Sequence, residues 1–147
     1  MELDQRLVDA AIDQLDRRWP RADYAVAAAG YLDDGRILTS VGLDNLNSAV
    51  TLCAETGVLC QAYTLDRRVA ASVCVGRGSD GVVGVLAPCG VCQERLALWG
   101  PEVQVAVADR TASSGWRART LAELNPFYWG AHFTDGETWP DMAFHRS

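Results

Sequence analysis

Two short strings hold the side chains of this sequence best suited to chemistry: Cys53-Ala54-Glu55 and Pro88-Cys89-Gly90-Val91-Cys92. A C-x-x-C pair on one helical turn can put two sulfurs on one metal ion, and a third sulfur from a separate element completes three ligands. Three protein ligands on tetrahedral zinc leave one position open, as in a catalytic site; a fourth would make the site structural. Glu55 follows Cys53 by two residues. At a helix start that offset brings its carboxylate toward the open position without displacing a sulfur. Zinc lowers the pKa of water it binds, and a neighbouring carboxylate can take that proton and pass it on. Both strings fall where helices are expected to begin, which would lower thiol pKa values through the helix dipole.

The other thiols read differently. Cys60 lies on an expected apolar helix face and Cys74 in a strand-like run, so both are expected to be packing residues. Five cysteines, an odd number, in a chain beginning MELDQRLVDAAIDQLDRRW argue against a disulfide framework. That N-terminus has no apolar core of a signal peptide, and no apolar run reaches a membrane-span length of roughly 20 residues. A cytoplasmic protein with no membrane partner is expected. His132 and His145 lack ligand spacing and read as surface or loop residues.

The elements that must position these groups alternate between helix and strand. Leu3, Leu7, Val8, Ala11, Ile12 and Leu15 predict an amphipathic helix over 2–18, stopped by Pro20. Asp23 to Leu32 predicts a strand, Asp33-Asp34-Gly35 a turn, and residues 36–43 its hairpin partner. A loop over 44–50 leads to a helix over about 51–67, then a buried strand over 69–76. The second string opens a helix near Gly90 that ends at Gly100-Pro101. A buried strand covers 103–109, a further strand or turn follows, and Leu121 to Leu124 makes a helical turn before an aromatic tail. This order describes one α/β layered domain over 1–147 around a mixed sheet. With 147 residues, 49% of them hydrophobic and 22% charged, the chain has an ordinary globular composition. Its net charge of −6 disfavours a nucleic-acid polymer and favours a small neutral or cationic substrate.

The CAE and PCGVC strings together resemble the all-cysteine metal motif of the cytidine deaminase superfamily. DYAVAAAGYLDDGRILTSV resembles the first hairpin of cytidine deaminases and blasticidin S deaminases, so the likeness spans roughly residues 23 to 108. The resemblance implies a three-layer α/β/α fold with a mixed, about five-stranded sheet, often assembled as a homotetramer whose sites borrow residues from neighbours. It implies Zn2+ on Cys53, Cys89 and Cys92, and hydrolytic loss of the C4 amino group of a free cytosine nucleoside or close analogue. Glu55 would take the water proton, protonate N3, and later protonate the leaving ammonia. Backbone groups near Ala54 and Pro88 would hold the ring.

The sequence departs from the family at some positions. The Asn-x-Glu pair that grips ribose hydroxyls is replaced by Gly42 and Asp44, of which Asp44 keeps an acceptor. Where relatives carry Arg after a ligating cysteine, this chain has Thr56 and Gln93, with Arg95 close by; Glu94 is a candidate partner of the site or a solvated helix charge. Phe127, Tyr128 and Trp129 in the tail could stack on a planar ring, with Phe127 and Trp129 the substrate-contact candidates. Other readings stay open: a blasticidin S-type or other amino-heterocycle deaminase, a non-catalytic zinc-stabilised binding module, a redox C-x-x-C, and a polynucleotide editor.

Overall fold

The computed structural model describes residues 1–21, 24–136 and 138–140. Helix α1 (Gln5–Arg18) is capped by Asp4, whose carboxylate accepts the Leu7 N–H at 3.1 Å. Its apolar stripe, Leu7, Val8, Ala11 and Leu15, is buried. Burial of each leucine is worth roughly 1.5–3 kcal/mol. Strands β1 (Ala25–Leu32) and β2 (Ile37–Val41) form the expected hairpin, and Asp23, at the predicted start of β1, lies outside the described residues.

Helix α2 (Glu55–Thr64) is shorter than predicted at both ends. It leads into β3 (Val69–Arg77), after which β4 (Val83–Leu86), α3 (Gly90–Leu96), β5 (Gln104–Ala108), β6 (Trp116–Thr120) and α4 (Leu121–Leu124) follow. A 3-10 turn over Ala97–Trp99 extends α3 toward Gly100, and another covers Trp129–Phe133 in the tail.

The sheet is mixed and ordered β2-β1-β3-β5-β6, with β4 joined to β3 off that path. It therefore has six strands where about five were expected. The extra one, β4, is four residues long with Gly84 inside it, too short to show a period of two. Strand β3 forks. Ala71 and Ser72 pair in parallel with β5, whereas Cys74 to Arg77 pair antiparallel with β4. The remaining pairings are antiparallel.

Alternate strand residues serve two layers. Ala25, Ala27, Ala29, Tyr31, Ala71, Val73 and Val75 pack against α1. On the opposite face, Leu32, Val69 and Val105 pack with Leu59, Ala62 and Leu96 from α2 and α3, and Ala28 and Cys74 pack with Ala54. Helices on both faces of one mixed sheet make the α/β/α layering expected from the sequence. No helix among the described residues is long and apolar enough to cross a membrane.

Candidate active site

The second face carries the sulfur cluster. Ala54 is the N-cap of α2 and Cys89 the N-cap of α3, so Cys53, Cys89 and Cys92 all sit at the openings of two helices. Their three sulfur atoms lie within 4.8 Å of one another, and Cys53 Sγ is 3.4 Å from Cys89 Sγ. Three sulfurs on tetrahedral zinc, each at about 2.3 Å, would stand about 3.8 Å apart. The donor set therefore fits such an ion by chemistry and by spacing. Among the described residues the cluster offers three ligand atoms and Glu55 supplies none of them. Glu55 is buried, and its Oε2 accepts from the Cys92 thiol at 3.4 Å.

The helix-dipole expectation holds for one thiol of the three. Burial works to raise Cys89, but backbone N–H groups of Cys92 and Val91 and the Cys53 thiol outweigh it, and Cys89 lies below the ordinary thiol value. Cys53 is raised, by burial first and then by its bond to Cys89. Cys92, fully buried, is raised by desolvation and then by the charges of Glu55, Cys53 and Cys89. Crowding and burial thus oppose ionisation of Cys53 and Cys92, and a cation at the centre of the cluster would remove that opposition.

A cleft of about 200 Å³ opens on the cluster, lined by Val26, Cys53, Ala54, Glu55, Cys74, Leu86, Ala87 and Cys89. Its walls are apolar apart from the cysteines and Glu55. A larger cleft of about 480 Å³, between Arg68, Trp99, Glu102 and Trp139, contains none of the cluster. Ala54 and Pro88 are both buried beside the sulfurs. The Ala54 carbonyl accepts from Ser40 Oγ, and the Pro88 carbonyl accepts from Gln93 Nε2 at 3.0 Å. A carbonyl has two lone pairs, so each retains an acceptor site.

The remaining candidates lie elsewhere. Gly42 is buried, and a Cβ there would come within 2.8 Å of Val26 Cγ2. Asp44 is exposed, with no hydrogen bond or ion pair among the described residues. Phe127 and Trp129 are exposed and absent from the walls of the cleft. Trp129 Nε1 donates to Glu94 at 2.8 Å and Tyr128 Oη donates to the same carboxylate at 3.1 Å, so Glu94 fastens the tail to α3. Arg95 donates to Thr56 Oγ1 at 2.7 Å, joining α3 to the first turn of α2.

Cys60 is exposed on α2, contrary to the packing role expected of it, because the buried face of that helix runs through Val58, Leu59 and Ala62. Cys74 is buried as expected, yet it also lines the cleft. Its parity within β3 was the available signal: it pairs with Ala28 on the face that meets α2. His132 is exposed, and His145 lies outside the described residues.

No family model matches the chain. A cytidine deaminase of Mycobacterium tuberculosis (strain H37Rv) is 41% identical over 78 residues, which is 52% of this chain. The chain spans only 56% of the length of that curated relative. A cytidine deaminase of Halalkalibacterium halodurans is 29% identical over 94 residues, 63% of this chain and 69% of that one. Among solved structures, the cytidine deaminase from Bacillus anthracis superposes with a TM-score of 0.82 at 38% identity, covering 90% of this chain and 94% of that one. The Mycobacterium tuberculosis cytidine deaminase structure gives 0.66 at 31% identity, with 88% and 99% covered. With likeness at that identity along nearly the whole of a solved relative, and three thiols gathered at two helix openings, the chain belongs to the cytidine deaminase superfamily.

Proposed function

We propose that this protein is a zinc-dependent hydrolase that removes the C4 amino group of a free cytosine nucleoside or close analogue as ammonia. The observation that carries the reading is the convergence of Cys53, Cys89 and Cys92 within 4.8 Å, with the buried Glu55 carboxylate beside them at the floor of an apolar cleft. Zinc on the three sulfurs would supply the Lewis acidity that makes water a nucleophile near neutral pH. Metal binding requires thiolates. As a thiolate, Cys92 could no longer donate to Glu55 Oε2, and that oxygen would be free to accept a proton. Glu55 takes one proton from the attacking water and delivers it to ring N3. It then takes the second from the new C4 hydroxyl and passes it to the amino nitrogen, so that the C–N bond breaks, ammonia leaves and C4 becomes a carbonyl. The apolar walls, Val26, Leu86 and Ala87, shelter the ring from bulk water, and the free lone pairs of the Ala54 and Pro88 carbonyls orient its polar edge.

A blasticidin S-type substrate is the second reading, and the closed position of Gly42 favours it. Nothing can project from residue 42 to reach a ribose, which leaves the exposed Asp44 as the acceptor nearest along the chain. Assembly as a homotetramer, as in the family, is part of the same proposal and is supported by the exposed rings of Phe127, Trp129 and Phe133.

Ammonia release from cytidine, deoxycytidine, cytosine and blasticidin S tests the reading, with Glu55→Ala and metal-stripped protein alongside. Turnover of one of these, abolished by both changes and recovered with zinc in the parent protein, is the expected result. Zinc bound at one ion per chain with no release from any substrate would move the protein to the non-catalytic reading.

A further inference from the structure

Ala54 precedes α2 without a side chain able to cap it. A hydroxyl from the neighbouring strand takes that part. Ser40 Oγ accepts the Val58 N–H at 3.0 Å and donates to the Ala54 carbonyl at 2.5 Å. Ala54 and Val58 are four residues apart, the spacing of an ordinary helical N–H to carbonyl bond. The Ser40 hydroxyl therefore relays between the two groups that open the helical ladder.

The sequence makes room for it. A Cβ on Gly57 would lie 2.5 Å from Ser40 Cβ, so only glycine there lets the strand and the helix approach this closely. Ser40 itself is held in register, paired with Ala28 of the buried strand β1, which pairs in turn with Cys74 of β3. The Cys53 carbonyl accepts the Thr56 N–H at 3.1 Å, so Cys53 belongs to the same turn as Ala54 and Glu55.

We propose that Ser40 is a positioning residue for the metal turn. Its hydroxyl ties the turn bearing Cys53 and Glu55 to the rigid sheet, and so sets where both stand relative to Cys89 and Cys92 on the other helix. The roles of metal and proton in this statement rest on the function proposed above; the ordering of the turn does not.

Amide hydrogen exchange on the metal-free protein, zinc retention against a competing chelator, and turnover are compared for Ser40→Ala and Ser40→Thr. Loss of the relay should speed exchange at Thr56, Gly57 and Val58 by about tenfold in a Ser40→Ala protein that still melts cooperatively. Zinc should be held about tenfold more weakly, with kcat lowered more than KM is raised. Ser40→Thr, which keeps the hydroxyl, should restore each of these to within about twofold of the parent. Parental exchange or parental zinc retention in Ser40→Ala would overturn the proposal, as would Ser40→Thr behaving like Ser40→Ala. Should Ser40→Ala fail to fold, Gly57→Ala displaces the hydroxyl without removing it and gives the same comparison. A parent protein that binds no zinc would defeat the functional reading, while the exchange arm would still judge the relay.

Discussion

The two faces of the central sheet are made from alternate residues of the same strands, yet they are built differently. The α1 face is closed by Leu7, Val8, Ala11 and Leu15 meeting Ala27, Ala29, Tyr31, Val73 and Val75, an aliphatic contact with one aromatic. The other face meets α2 and α3, and near the helix openings it uses small residues, Ala28, Ala54 and Cys74. The buried polar and charged residues among those described, Glu55, Thr56 and Ser72, belong to this second side. One face is apolar throughout; the other is equally apolar around Leu32, Leu59, Leu96 and Val105, and carries acid and sulfur only near the helix openings. The chemistry thus lies on one side of the sheet alone, and substitutions under α1 should dissociate from substitutions at the helix openings.

The largest effect should fall on the second face. Glu55→Ala should cut turnover by roughly 10³-fold, while the variant unfolds at the same denaturant concentration as the parent or higher. Loss of stability together with turnover would mean that the faces are not independent. On the α1 side, Leu15→Ala should destabilise the protein by about 3 kcal/mol, read from urea unfolding. Its kcat per folded molecule should be unchanged, and a fall in kcat would again break the comparison. A smaller effect is expected from Asp4→Ala, which removes the α1 cap and the acceptor of the Tyr31 hydroxyl at 2.8 Å. A cost of about 1–2 kcal/mol with parental activity is the expected outcome.

The smallest effect concerns Cys74, whose thiol is pushed well above its ordinary value by burial and then by the charges of Glu55, Cys53 and Cys89. A raised folded value means that the native state keeps its proton while the unfolded thiol ionises. The contribution is therefore intact below the ordinary thiol range and declines as pH rises through it. By pH 9 the loss should amount to about 0.8 kcal/mol. Cys74→Ala should flatten the alkaline fall of stability by that amount in metal-free protein; an unchanged slope would show that Cys74 is not protonated in the fold.

How much of this could be read from the residues differs by element. The α1 stripe and the β1–β2 hairpin were legible because each carries a long period and a strong stop, Pro20 in one case and Asp33-Asp34-Gly35 in the other. The thiols were legible because C-x-x-C and C-x-E are local spacings, fixed by one turn of helix. Strand β4 was not, since four residues around a glycine show no periodicity and owe their pairing to β3. Cys60 was assigned to the wrong side of α2 because Val58, Leu59 and Ala62 set the buried arc, and a helix predicted over 51–67 blurred its phase. The Ser40 relay was invisible for a different reason. It joins residues 14 and 18 positions apart, and nothing in the string marks a serine in a strand as the cap of a later helix. The Glu94 clasp on Tyr128 and Trp129 spans 34 and 35 residues and was equally hidden.

The fork in β3 has a consequence for how this scaffold can diversify. Leu86 and Ala87, which roof the cleft, hang from β4, and β4 is attached only along the far half of β3. The turn that joins β3 to β4, residues 78–82, is mostly exposed and lies at the opposite end of the pairing from Leu86. Leu86 is held at the cleft by its pairing with Cys74, so the turn can change length without moving it, whereas sliding β4 by two residues would bring a different side chain to the cleft while Cys53 and Glu55 stay at the opening of α2. The pocket's ceiling is in this sense an interchangeable part, and new substrate shapes could be accommodated there with the floor left as it stands.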